Sequence, residues 1–277
     1  MSQEKQKTKP ERIETIRLST KLIVPVIYED RHLLGITKPA GYLIAPIQWE
    51  NTSRNLMLML REGIEMGAPW ARRRVLRFIA NVHRLDADTS GVLLLAKNRT
   101  ALSQMTGCFE RRQVDKTYIA LVKGDIEEDI FSCNVSIEEH PRTIGVMVVD
   151  RKNGREAITN FAVVERFGEY TLLKAFPVTG RTHQIRVHLA WLGLPVVNDS
   201  LYGENTQEQV NQQNVVERNL PIERLALHAS ELSFKHPLLN KKVNIESPIP
   251  KDLAQTIQML QKRKFRENQK QIKESKK

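Results

Sequence analysis

The stretch His83-Arg84-Leu85-Asp86-Ala87-Asp88-Thr89-Ser90-Gly91, followed at once by Val92-Leu93-Leu94-Leu95-Ala96, sets the reading of this chain. Residues 91–96 are a short apolar run opened by Ser-Gly, and residues 74–82 before the loop also have strand composition, so two strands are expected to flank a short polar loop. A carboxylate on such a loop, with Thr, Ser and Gly available to bond or bend the backbone, can be held rigidly in a cleft. Taken alone, Asp86 in a Thr-Ser-Gly turn reads as ordinary turn chemistry before it reads as catalysis.

Working outward, residues 22–37 read as two strands around a turn at Glu29 and Asp30, closed by the rigid corner Lys38-Pro39-Ala40-Gly41. Thr52 or Ser53 would cap a helix running to about Met66, which Gly67 and Pro69 end. Residues 99–113 are helical in pattern, and Thr117–Val122 has the β-branched and aromatic content of a strand. Strands are expected at 156–166 and 170–177 around Gly168, and Gly180 precedes the helix-like RTHQIRVHLAWLG. Residues 204–223 read as an irregular polar insertion, followed by strands near 225–235 and 241–247 and a helix from Pro250. Strands follow strands without βαβ alternation, so the fold class is α+β with a largely antiparallel sheet.

A second informative segment is Gly180-Arg181-Thr182-His183-Gln184-Ile185-Arg186-Val187-His188. Gly180 lets the chain turn into a helix whose N-terminus, with Arg181, suits an anion, and Arg186 would add a phosphate contact. An ordinary capped helix with a solvated polar face fits the same residues. His183 and His188 stand at i and i+5, diverge around a helix and have no zinc-motif carboxylate, so no metal site is expected.

The 277 residues carry a formal net charge of +11. Residues 1–21 hold +3 and residues 261–277 hold +6, leaving +2 for everything between. Within the body, Arg72, Arg73, Arg74, Arg77 and Arg84 fall in a stretch from Gly67 to Leu85 that lacks any carboxylate, a polyanion signal. Cys108 and Cys133 stand far apart, which suggests two buried thiols and neither a disulfide scaffold nor a zinc framework. No apolar run reaches the roughly 18 residues of a membrane span, and the hydrophilic start has no secretory core, so a cytoplasmic protein is expected.

In order along the chain, KPAG at 38–41, HRLDADTSG followed by LLLAK, KTYIALVKG at 116–124, GRTHQIRVHL at 180–189 and LHASELSFKHP at 227–237 resemble the segments of RluA-type RNA pseudouridine synthases. The resemblance runs from about residue 22 to 250. It implies the pseudouridine-synthase catalytic fold with a central RNA cleft, an isomerase that uses no cofactor and no metal, and ribosomal or transfer RNA as partner. Residue by residue it implies Asp86 as the catalytic carboxylate, Tyr118 packed on the target uracil and Arg181 paired with Asp86. Arg84 would help to displace the target nucleotide, and Ile185 and Val187 would make the base pocket apolar.

The expected organisation is a basic extension at 1–21, a catalytic domain at 22–260 and a basic tail at 261–277, in a monomer. Two alternatives compete: a non-catalytic RNA-binding factor on the same fold, and a metal-dependent phosphodiesterase using Asp86 and Asp88.

Overall fold

The computed structural model describes residues 14–44, 54–203 and 220–275. Three antiparallel strands open it: β1 (Thr15–Arg17), β2 (Ile23–Glu29) and β3 (Leu33–Lys38). Asp30 forms the β2–β3 turn, its Oδ1 accepting the backbone N–H of His32 and of Leu33, both at 2.7 Å. The helix α1 (Leu56–Glu65) is capped by Asn55, whose side chain accepts the Leu58 N–H; the expected caps Thr52 and Ser53 lie outside the described residues. Then come α2 (Pro69–Arg73), β4 (Ala80–Asn81) and β5 (Ser90–Ala96). The strand expected at 74–82 is thus cut to two residues. The apolar pattern is overridden because the chain leaves α2 through Val75 in a left-handed conformation (φ 52°) and a loop buries Leu76 and Ile79.

Next are α3 (Arg99–Glu110), capped by Asn98, then β6 (Val114–Lys123), β7 (Ile130–Asn134) and the small hairpin of β8 (Ile137–Glu139) and β9 (Met147–Val149). The strands β7 to β9 were not foreseen. A long antiparallel hairpin follows, β10 (Ile158–Arg166) and β11 (Tyr170–Pro177), then α4 (Gln184–Trp191), β12 (Leu227–Lys235), β13 (Lys242–Glu246) and α5 (Lys251–Glu274).

Eleven strands join in one sheet, in the order β1-β2-β3-β5-β12-β6-β11-β10-β7, with β4 added to β5 and β13 to β12. Every pairing is antiparallel except β12 with β5, where His228 pairs with Ser90 and Ala229 with Gly91. β12 therefore joins two half-sheets, one built from residues 15–96 and the other from residues 114–177. The α+β, mainly antiparallel architecture is the one expected from the sequence.

β5 is buried along its whole length because helices cover both faces of the sheet there. Leu93 and Leu95 pack under α1 and α2, while Val92, Leu94 and Ala96 pack against Ala101, Met105 and Cys108 of α3. Its second residue must be glycine: Gly91 sits at φ +120°, and a Cβ there would lie 2.1 Å from the Ala229 carbonyl oxygen. A third core, under β6 and β11, takes Ile185 and Leu189 from α4 and Leu253 and Leu260 from α5.

Ile16 of β1 is fully buried, so residues 15–17 of the basic N-terminal stretch join the sheet, and the helix expected from Pro250 runs as α5 to Glu274, its last half an exposed helix that carries residues 261–274 of the basic tail. Residues 204–219 of the polar insertion lie outside the described residues, whereas Leu220 and Ile222 are buried. Both cysteines are free and buried. Among the described residues no helix is long and apolar enough to cross a membrane.

Candidate active site

A cavity of about 470 Å³ opens where the loop before β5, the middle of β6, the end of β11 and the start of α4 converge. Its lining includes Arg84, Asp86, Tyr118, Arg181, His183 and Ile185. Its size falls in the roughly 300–1,000 Å³ range of small-molecule sites, enough for one nucleoside.

The Asp86 loop is fixed from below by Lys38, a side chain whose importance the sequence did not reveal. Lys38 is fully buried, and its Nζ donates to the carbonyls of Pro39 (2.9 Å), Ala87 (2.7 Å) and Thr89 (2.8 Å). Three carbonyls match the three N–H groups of an ammonium. Burial pushes the Lys38 ammonium down to about 7, against the opposing pull of Asp88 and Asp86. Gly41 N–H also donates to the Ala87 carbonyl (2.8 Å), and His83 Nε2 accepts the Leu94 N–H (3.0 Å), anchoring the loop to β5. Burial drives the His83 imidazole down to about 3.

Across the cavity, Gln184 organises the turn into α4. Its side-chain oxygen accepts from Thr179 Oγ1 (2.6 Å) and from the Arg181 N–H (3.0 Å), and its amide donates to the Ile158 carbonyl (3.0 Å) and to Thr159 Oγ1 (2.9 Å). His183, at φ 52°, then bends the chain so that the two arginines of the segment diverge.

This bend corrects the pairing expected for Arg181. Its Nε donates to the Glu156 carbonyl (3.0 Å) at the rim, and the guanidinium beside Asp86 is that of Arg186, with Nη1 3.6 Å from Asp86 Oδ2. Arg186, expected to touch phosphate, is instead buried: Nε and Nη2 each donate at 2.7 Å to the two carboxylate oxygens of Asp199, and the Tyr202 ring lies 5.0 Å from its Cζ. Burial disfavours the Arg186 charge, but the Asp199 hydrogen bonds and the Asp199 and Asp86 charges raise its pKa. Asp199 also accepts the N–H groups of Leu201 (2.9 Å) and Tyr202 (3.1 Å). The sequence reading missed both Asp199 and Tyr202.

Tyr118 is half-buried between two cores, on β6 opposite Ala175 and Ala229. Burial and then the charge of Asp86 push its phenol up, so it stays protonated. Ile185 lines the cavity, whereas Val187 packs away from it with Ile137 and Ala157, which corrects its expected place in the base pocket. Arg84 is exposed and donates to Thr182 Oγ1 (2.7 Å) across the mouth. Lys116 joins the lining, donates to the Thr179 carbonyl (3.1 Å), and is pushed down to about 8 by burial and by Arg112.

Of the five arginines between Gly67 and Leu85, only Arg84 lines this cavity; Arg74 is taken up in ion pairs with Glu14 and Glu29. Among the described residues no group of three or more His, Cys, Asp or Glu side chains is placed to hold a metal ion.

Residues 32–191 match the family model described as RNA pseudouridylate synthase. The chain is 36% identical, over 84% of its length and 68% of the relative's, to ribosomal large subunit pseudouridine synthase C of Vibrio cholerae serotype O1. It is 35% identical to the protein of the same description from Escherichia coli K12, over 85% and 69% of the two chains. Among solved structures it resembles human RNA pseudouridylate synthase domain containing 1, with a TM-score of 0.61, 26% identity and coverage of 86% and 94%.

Proposed function

Since this chain belongs to the RNA pseudouridylate synthase family, we propose that Asp86 is the carboxylate with which it converts uridine to pseudouridine in large-subunit ribosomal RNA. The observation that supports the role of Asp86 is its placement: a carboxylate on a loop fixed by Lys38, lining a nucleoside-sized cavity with Tyr118, and countered by the buried Arg186. Ribosomal RNA is the substrate class because the relatives above are described as acting on the large ribosomal subunit.

The reaction breaks the bond from uracil N1 to ribose C1′, turns the base and joins C5 to C1′. N1 gains a proton and C5 loses one, so there is no redox change. Three routes use a fixed carboxylate: nucleophilic attack on ribose C1′, nucleophilic attack on the base, or removal of the C2′ hydrogen as uracil leaves C1′. In each, Arg186 orients Asp86 and balances its charge, and Asp199 holds Arg186 in place.

The target nucleotide must leave its stack, at a cost of a few kcal/mol that pocket contacts offset. Tyr118 supplies the ring against which uracil packs, and Ile185 the apolar wall. Arg84, tied to Thr182 at the mouth, occupies the position suited to replacing the displaced base. Arg181 and Lys116, both on the lining, serve the flanking phosphates.

The test uses ribosomal RNA carrying tritium at uracil C5. The wild-type protein should release tritium in excess EDTA, and Asp86→Asn should release none while unfolding at the wild-type temperature. Release by Asp86→Asn would remove Asp86 from the chemistry. Pseudouridine mapping of total RNA with and without the protein decides the substrate class; sites confined to transfer RNA would overturn the ribosomal assignment.

A further inference from the structure

His183 stands in the cavity but has no part in the chemistry above. Three observations set it apart. Its backbone is left-handed, a region uncommon for residues other than glycine. It is the N-cap residue of α4, yet its side chain makes no capping hydrogen bond. Its Nδ1 lies 2.8 Å from Tyr202 Oη, with the two rings edge to face at 5.6 Å.

Tyr202 Oη accepts the Met147 N–H at 2.8 Å and its own hydrogen has no other acceptor among the described residues, so donating it to His183 Nδ1 satisfies both groups. In a neutral ring the proton then sits on Nε2, which has no hydrogen-bond partner among the described residues. Burial lowers the His183 pKa; Asp86 and Asp199 oppose that, and Arg186 and Arg84 add to it. The ring is therefore neutral at neutral pH. Because Tyr202 also lies against Arg186, one aromatic ring aligns both this donor and the guanidinium that faces Asp86.

We propose that His183 is a uracil-recognition residue, donating from Nε2 to a carbonyl oxygen of the target base. The inference rests on the reading of this cavity as the uridine site. The chemistry of the turn favours a single donor of this kind. A two-fold rotation of uracil about its N3 to C6 axis exchanges N1 with C5 and also exchanges O2 with O4. A donor that meets one carbonyl in uridine therefore meets the other in pseudouridine, and one fixed histidine serves both ends of the reaction.

The test is a cycle between residue and atom under single-turnover conditions at saturating RNA. Target RNAs carry uridine, 2-thiouridine or 4-thiouridine, and the enzymes are wild type, His183→Phe and His183→Gln. A neutral hydrogen bond predicts that one of the two thio substitutions slows the wild type by roughly three- to tenfold. The same substitution should cost His183→Phe nothing further, because that contact is already gone. His183→Gln, which keeps an amide donor, should recover part of the rate and part of the thio effect. Penalties that simply multiply in His183→Phe for both thio RNAs would overturn the proposal, and so would a wild type indifferent to both.

Should His183→Phe fail to fold, the Gln variant carries the test alone: a thio penalty smaller than the wild type's at one position supports the contact, and penalties equal to the wild type's at both positions refute it. A wild type that makes no pseudouridine in the unsubstituted RNA would count against the function itself, a result separate from all of these.

Discussion

Removing the Arg186 side chain should separate two jobs that one guanidinium performs. Asp199 is fully buried and receives two hydrogen bonds of 2.7 Å from Arg186, whereas Asp86 has 23% side-chain exposure and a single 3.6 Å approach. Truncating one partner of a buried pair strands the other charge and costs about 3–5 kcal/mol. The part-exposed contact to Asp86 contributes about 0–1 kcal/mol. Asp199 keeps the Leu201 and Tyr202 N–H groups, so Arg186→Met is expected at the low end, about 3 kcal/mol less stable. In urea melts the midpoint should fall with little change in slope. Asp86→Asn should move stability by less than about 1 kcal/mol while stopping turnover. Combining Arg186→Met with Asp199→Asn, which leaves no buried charge behind, should be milder than the sum of the single changes by about 2 kcal/mol. Additivity within about 0.5 kcal/mol, or an Arg186→Met protein as stable as wild type, would refute this account of the network.

Gly91→Ala should fail to give folded protein, since both the +120° φ and the 2.1 Å approach to the Ala229 carbonyl oppose a Cβ; a soluble variant within about 2 kcal/mol of wild type in urea would contradict the packing described. His83 has a folded pKa of about 3. Its unfolded value is about 6.5, so below that the unfolded chain binds a proton that the native ring refuses. The stability is present above pH 6.5 and lost as pH falls toward 3, by at most about 1.4 kcal/mol per pH unit. Urea melts between pH 7 and 4.5 should show a shallower loss for His83→Gln, and parallel curves would count against this role. Lys262, Arg266, Lys270 and Lys273 share one stripe of the exposed half of α5. Changing all four to Gln should weaken cognate and unrelated RNA alike and reduce the salt slope by up to about 3, read by filter binding from low to moderate salt. An unchanged slope would show that the stripe touches no phosphate.

The loop, its strand and the long hairpins were legible because each is a local pattern: an apolar run opened by Ser-Gly at β5, and alternation around Gly168 at β10 and β11. The site was legible only as a set of segments. Arg181 and Arg186 lie in the same nine residues, and sequence spacing does not say which of them faces Asp86. That choice depends on the left-handed His183 between them and on Asp199, a partner from the following loop. Lys38 read as part of a rigid corner because nothing in Lys-Pro-Ala-Gly announces that its ammonium is buried beneath a loop some 50 residues away. The strand expected at 74–82 failed for the opposite reason: its apolar residues are buried, but by a loop. The C-terminal helix was legible from Pro250 onward, but its far end was not, and the structure carries α5 through the basic tail to Glu274.

The place of β12 bears on how the protein is made. Synthesis delivers β1 to β5 first and β6 to β11 next, but the strand that lies between them, beside both Ser90 and Tyr118, comes only at residues 227–235. Until that segment leaves the ribosome, the nascent chain carries two half-sheets, each with an open edge at the side that will become its centre. Such edges invite pairing with other chains, and closure through contacts so distant in sequence is slow. The strand bearing Ser90 and Gly91, at the end of the Asp86 loop, therefore gains its neighbour only once residues 227–235 are made, and a chain truncated before residue 227 is expected to be inert and prone to aggregate.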